Sequence, residues 1–143
     1  MKAGVLAPGR EFVRRHHVHY DVRDELVVDG EQRRKVGYRV RLWGGIPGQG
    51  LLPADVVESP FSQELLALAE QVIPAEPDGT AISISPPAPA LYDSRIVTGA
   101  DEIALDIHLV RAGLGDEPSG AAEERCLRAV RHTLEKLGAP QRD

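Results

Sequence analysis

Polar and apolar residues alternate with a period of two from Phe12 to Val28. Val18, Tyr20 and Val22 fall on one side, and His17, His19, Asp21 and Arg23 on the other, which predicts a half-buried strand. A second alternating run sets Val36, Tyr38, Val40 and Leu42 against Gly37, Arg39, Arg41 and Trp43, and Asp29-Gly30 between the runs predicts a hairpin. A two-residue Asp29-Gly30 turn would place Tyr20 opposite Arg39 and mix the faces. A three-residue loop through Glu31 instead sets Val22, Tyr20 and Val18 opposite Tyr38, Val40 and Leu42, so a turn with a bulge is expected. That register puts Asp21 opposite Arg39, His19 opposite Arg41 and His17 opposite Trp43.

Further along, the period changes. Ser59 is a good N-cap, Pro60 suits the first helical position, and Leu65, Leu66, Leu68, Ala69, Val72 and Ile73 form an apolar stripe; they predict a helix of about fourteen residues ending before Pro74. Thr80 to Ser85 reads as a short strand carrying Ile82 and Ile84, stopped by Pro86-Pro87-Ala88-Pro89, a stiff extended loop. Glu102 to Val110 alternates most clearly, with Ile103, Leu105, Ile107 and Leu109 inward and Glu102, Asp106 and His108 outward. Cys126, Leu127, Val130, Leu134 and Leu137 recur at helical spacing before Gly138 and Pro140. The order ββαββα predicts an α+β fold, a four-stranded, mainly antiparallel sheet with two helices packed on one face. Residues 1–10 are expected to be a flexible N-terminal segment, 11–138 a single domain and 139–143 a C-terminal tail.

At 143 residues, 42% hydrophobic and 27% charged, the chain can bury one core, and its composition argues against disorder. No run approaches the eighteen or so apolar residues of a membrane-spanning helix, and the single Cys126 can form no disulfide within the chain, so a cytoplasmic location is expected. Residues 1–50 hold ten Lys/Arg against six Asp/Glu, while 51–143 hold seven against sixteen, which together give the net charge of -5. Opposite patches can steer association or neutralise each other within one fold. The basic half has few interleaved aromatics and the total is acidic, so nucleic acid is not the expected partner.

If the sheet is continuous, its polar face gathers His17, His19, Asp21, Arg39, Arg41, Trp43, Ser83, Ser85, Glu102, Asp106 and His108. The run His17-Val18-His19-Tyr20-Asp21 resembles the opening of the HxHxDH zinc motif of metallo-β-lactamase-type hydrolases. Val22 stands in place of the final histidine, the chain is too short for that two-layered fold, and no later ligand series follows, which excludes the family. Two facing arginines disfavour a divalent cation, so neither a metal nor a cofactor is expected. The glycine-rich run Gly44 to Gly50 does not feed directly into a helix and lacks Gly-Lys-Ser/Thr, so it reads as a linker rather than a phosphate cradle. Ser83 and Ser85 have no nucleophile-elbow motif, and Cys126 lies on an apolar stripe.

The leading expectation is therefore a non-enzymatic accessory or interaction protein, acting through the open sheet face or a strand edge and self-associating as a homo-oligomer. Trp43 would be the interface anchor, with Tyr92 and Arg95 after the proline run as a further binding edge. The alternative is a small enzyme or anionic-ligand-binding protein. There His17, His19, Asp21, Asp106 and His108 are the catalytic candidates, and Arg39 and Arg41 hold the anion.

Overall fold

In a computed structural model, which describes residues 9–45, 60–74, 80–89, 102–111 and 121–141, the first two alternating runs form a hairpin of β1 (His19–Asp29) and β2 (Gln32–Gly45). The remaining strands are β3 (Thr80–Ile84), β4 (Ala88–Pro89) and β5 (Glu102–Arg111). The sheet order is β1-β2-β5-β3, antiparallel throughout, with β4 pairing β5 beyond the end of β3. The last strand thus enters the middle of the sheet, where it separates β2 from β3.

Three helices cover one face: α1 (Arg10–Arg15), α2 (Pro60–Val72) and α3 (Ala121–Lys136). Ile103, Leu105, Ile107 and Leu109 of β5, with Val40 and Leu42 of β2, pack against Phe61, Leu65 and Leu68 of α2 and Cys126, Val130 and Leu134 of α3 in one buried cluster. Each such side chain contributes about 1.5–3 kcal/mol on burial, so this cluster dominates the stability. Glu123, in the first turn of α3, is buried and accepts a 3.3 Å hydrogen bond from Arg111 Nε, tying the helix to the end of β5. The α+β class, the antiparallel open sheet and the packing of both long helices on one face are as the sequence pattern predicts.

Three local expectations are overturned. The strand expected from Phe12 does not begin there, because Arg10–Arg15 is helical. Glu11 and Arg15 pair at 2.7 Å and the rings of Phe12 and His16 lie 4.8 Å apart, both i,i+4 contacts of a helical turn. Regular alternation begins only at Val18. The hairpin turn is not a three-residue loop: Asp29 pairs with Gln32 across Gly30-Glu31, with Gly30 at φ 66, and the bulge falls further in, where Glu25 pairs Gly37 and Leu26 pairs Lys35, skipping Val36. The faces are preserved and every partner moves by two residues, so Asp21 faces Arg41, His19 faces Trp43 and Arg23 faces Arg39. Ala88-Pro89 is not merely a loop but a short strand on the edge of β5, a position that tolerates the missing proline N–H. At the C-terminal end, Ala139 is buried and Tyr20 N donates to Pro140 O at 3.0 Å, covering the outer edge of β1 at that point.

At Gly37 the backbone of β5 leaves β2 no room for a side chain. A Cβ built on it would land on the backbone carbonyl of Leu109, which no rotamer change can relieve. Gly37→Ala is therefore expected to destabilise the protein by about 1–3 kcal/mol in urea unfolding, and an unchanged midpoint would show that the two strands are not held this tightly.

Candidate functional site

The face away from the helices is organised in cross-strand rows fixed by the register of β5. One row reads Arg23, Arg39, His108, Ser83; the next reads Asp21, Arg41, Asp106; a third, at the far end, reads His19, Trp43, Ala104, Ala88. In the opposite direction from the Arg39 row, Glu25 of β1 faces Gly37 of β2. Because Gly37 has no side chain, the Glu25 carboxylate can extend across β2 and reach β5.

Glu25 Oε1 lies 2.9 Å from His108 Nδ1, and His108 Nε2 lies 2.7 Å from Ser85 Oγ. A carboxylate accepts, so Nδ1 carries the proton; Nε2 is then the acceptor of the Ser85 hydroxyl, a tautomer assigned from the partners. Ser85 is placed by the step between β3 and β4, where its N–H donates to Asp106 O at 2.8 Å. Its hydroxyl thereby comes next to His108, whereas Ser83, directly across from His108, is not the residue hydrogen-bonded to it. The Glu25 and His108 side chains keep 24% and 21% of their surface exposed, so the relay is shielded yet reachable from solvent.

Beside the relay stands a second network. Arg41 donates to both oxygens of Asp106, from Nε at 2.7 Å and Nη2 at 3.1 Å, a bidentate fork. These bonds hold the guanidinium above its ordinary pKa, with desolvation working in the other direction. Arg39 Nη1 is 4.0 Å from the same carboxylate, leaving its charge only loosely matched at a side chain 32% exposed. Arg23 reaches Asp21 at 3.7 Å.

The structure thus brings together His108, Asp106, Arg39 and Arg41 of the residues the sequence singles out. It does not bring His17 or His19 to the His108 row, because His19 opens β1 in the Trp43 row and His17 precedes it, at the end of the hairpin away from His108. Asp21 and Asp106 pair with arginines rather than with any histidine. Trp43 occupies the expected face but is only 4% exposed, with His19 stacked at 6.2 Å and the Arg41 guanidinium 5.3 Å from its ring. It is therefore not presented at the surface as an anchor. Tyr92 and Arg95 lie outside the described residues.

His16 binds Gly45 O at 2.9 Å and packs between Phe12 and Phe61, a structural pin between α1 and the end of β2. Cys126 is buried in the core, and that burial pushes its thiol up. Among the described residues, no three His, Cys, Asp or Glu side chains converge where a metal ion could be held.

Sequence reasoning missed Glu25. The signal was present, since Glu25 has the same strand parity as His19, Asp21 and Arg23, but nothing in one strand reveals a partner two strands away. Chemically, the three groups form a nucleophile, a base and an orienting carboxylate in hydrogen-bonded sequence, flanked by a cation. Comparison with family models, with curated proteins and with solved structures finds no match.

Asp106 is the hub of the arginine network, accepting two charge-assisted bonds while only 15% exposed. Asp106→Asn is expected to cost about 1–3 kcal/mol of stability by thermal or urea unfolding. A loss indistinguishable from zero would mean that these arginines are as well served by water.

Proposed function

We propose that the open sheet face is the site of a small serine-type acyl hydrolase acting on ester substrates that carry a negative charge. The observation that supports this reading is the continuous Ser85, His108, Glu25 relay at 2.7 and 2.9 Å. Ser85 Oγ attacks the acyl carbon as its proton passes to His108 Nε2; the alkoxide leaving group takes that proton, and the acyl group stays on Ser85. Water then attacks the acyl-serine with His108 again as base, releasing the acid and returning the hydroxyl. Glu25 holds the tautomer and stabilises the imidazolium. Arg39, in the same row as His108, meets the substrate's negative charge.

The test is labelling with a fluorophosphonate probe, followed by peptide mass spectrometry and by hydrolysis of p-nitrophenyl acetate. A single adduct on Ser85 is expected, absent in Ser85→Ala and formed about 10²–10⁴-fold more slowly in His108→Ala, the range of a positioned general base. Glu25→Gln should slow it less. A folded protein that takes no adduct, or a rate unchanged in His108→Ala, overturns the proposal.

A second reading, self-association, is favoured by a separate observation. β5 pairs β2 only from Gly37 to Gly45, so the hairpin beyond the bulge projects as a two-stranded arm. Among the described residues, the large apolar side chains left exposed are Leu26, Val27 and Val28, at 48%, 44% and 71%, all on this arm. A second copy covering them would gain about 1.5–3 kcal/mol per side chain. Sedimentation velocity should then show a dimer that Val28→Lys converts to monomer without loss of secondary structure. A wild-type protein that stays monomeric at 100 µM, used here as about the upper end of a meaningful weak association, removes this reading.

A further inference from the structure

At the opposite end of β1 from the arm lies a cavity of about 560 Å³ that the relay does not use. Its apolar walls are Val13 of α1, Val18 just before β1, and Pro140 of the C-terminal segment; its polar groups are Arg14, His17, His19 and Gln141. Among the described residues, no carboxylate lines it. In a chain with a net charge of -5, this concave surface presents the Arg14 guanidinium, the His17 imidazole and the Gln141 amide as donors.

Three features show how those donors are held. His17 has φ 52, the left-handed region that a side chain other than glycine enters only at a cost, and this turn carries its imidazole at the cavity rim. The His19 Nδ1 lies 2.9 Å from the His17 carbonyl, so Nδ1–H donates there and the ring is fixed, stacked on Trp43. Gln141 Oε1 accepts from Arg131 Nη2 at 2.6 Å, which leaves its amide N–H groups for other partners. On α1, Arg15 is paired with Glu11, whereas the Arg14 guanidinium and the His17 imidazole have no partner among the described residues.

We propose that this cavity binds a small organic anion, a carboxylate or phosphate ester on an apolar body. The apolar portion rests on the exposed Pro140, over the buried Val13 and Val18, and the charged group meets Arg14 and His17, with Gln141 as an additional donor. The site is independent of the relay. It lies beyond the Trp43 row, at the end of the sheet away from Glu25, and none of its lining residues belongs to the relay.

Titration of the ¹⁵N-labelled protein with benzoate and with phenyl phosphate tests the proposal, using benzyl alcohol as the neutral match. At least one anion should shift amides of residues 13–19 and 138–141 saturably, with benzyl alcohol weaker by about tenfold, the worth of one charge-assisted contact. Arg14→Gln should weaken anion binding by a similar factor. His17→Gly is the decisive variant: glycine accepts the left-handed turn, so the protein should fold without loss of stability while binding the anion more weakly. If neither anion gives saturable shifts there, if benzyl alcohol binds as tightly, or if His17→Gly binds unchanged, the cavity is not an anion site. Ser85 labelling is unaffected by any of these results, so the two proposals stand or fall separately.

Discussion

The open face depends on an event on the other side of the sheet. β5 is paired on both edges, and its odd-numbered residues Ile103, Leu105, Ile107 and Leu109 are all buried under the helices. Strand geometry then leaves Asp106 and His108 no choice but the opposite face. The magnitudes settle which side leads. Four fully buried aliphatic side chains supply about 1.5–3 kcal/mol each, whereas a hydrogen bond on a partly exposed face nets about 1 kcal/mol. The core therefore sets the register, and the polar network takes the positions that remain. Ser85 and Arg41 meet β5 residues because those residues are already fixed.

Much of this was legible in the sequence because period and parity are local properties. The alternation in β1, β2 and β5, the helical stripes of α2 and α3, and the separation of polar from apolar faces all follow from counting along one strand or helix. What was not legible required knowing where a local irregularity falls. Face matching in the hairpin fixes only whether the offset is odd or even. A bulge inside the turn and one at Val36 both satisfy it, yet they differ by two residues in every pairing from Asp21 to Arg41. The first helix escaped for a related reason: Phe12, Val13 and His16 fit one helical turn as well as they fit a strand, and over so few residues pattern alone does not arbitrate.

The candidate site was half legible for the same reason. His108, Asp106, Arg39 and Arg41 could be assigned to one face from parity. Their partners could not, since strand order decides them. Placing β5 between β2 and β3 gives His108 to Ser85 on one side and, across the bare Gly37, to Glu25 on the other. Trp43 shows the limit of parity differently: it lies on the polar face and is nonetheless buried, because burial of a single large ring depends on neighbours beyond its own sheet row.

The charge imbalance along the chain also takes a sharper form in three dimensions. Neutralisation between the halves is real in the middle of the fold, where Arg41 and, more loosely, Arg39 meet Asp106; Arg111 and Glu123 pair within the second half. Within the first half, Arg23 and Lys35 are matched by Asp21 and Asp24. Among the described residues, the cations without a carboxylate partner include Arg14 at the cavity by the start of β1, Arg33 and Arg34 on the arm, and Arg128 and Lys136 on α3. Fields add where like charges are unmatched and cancel where they are paired. At the centre of the open face, the loosely held Arg39 is the cation in the row of His108.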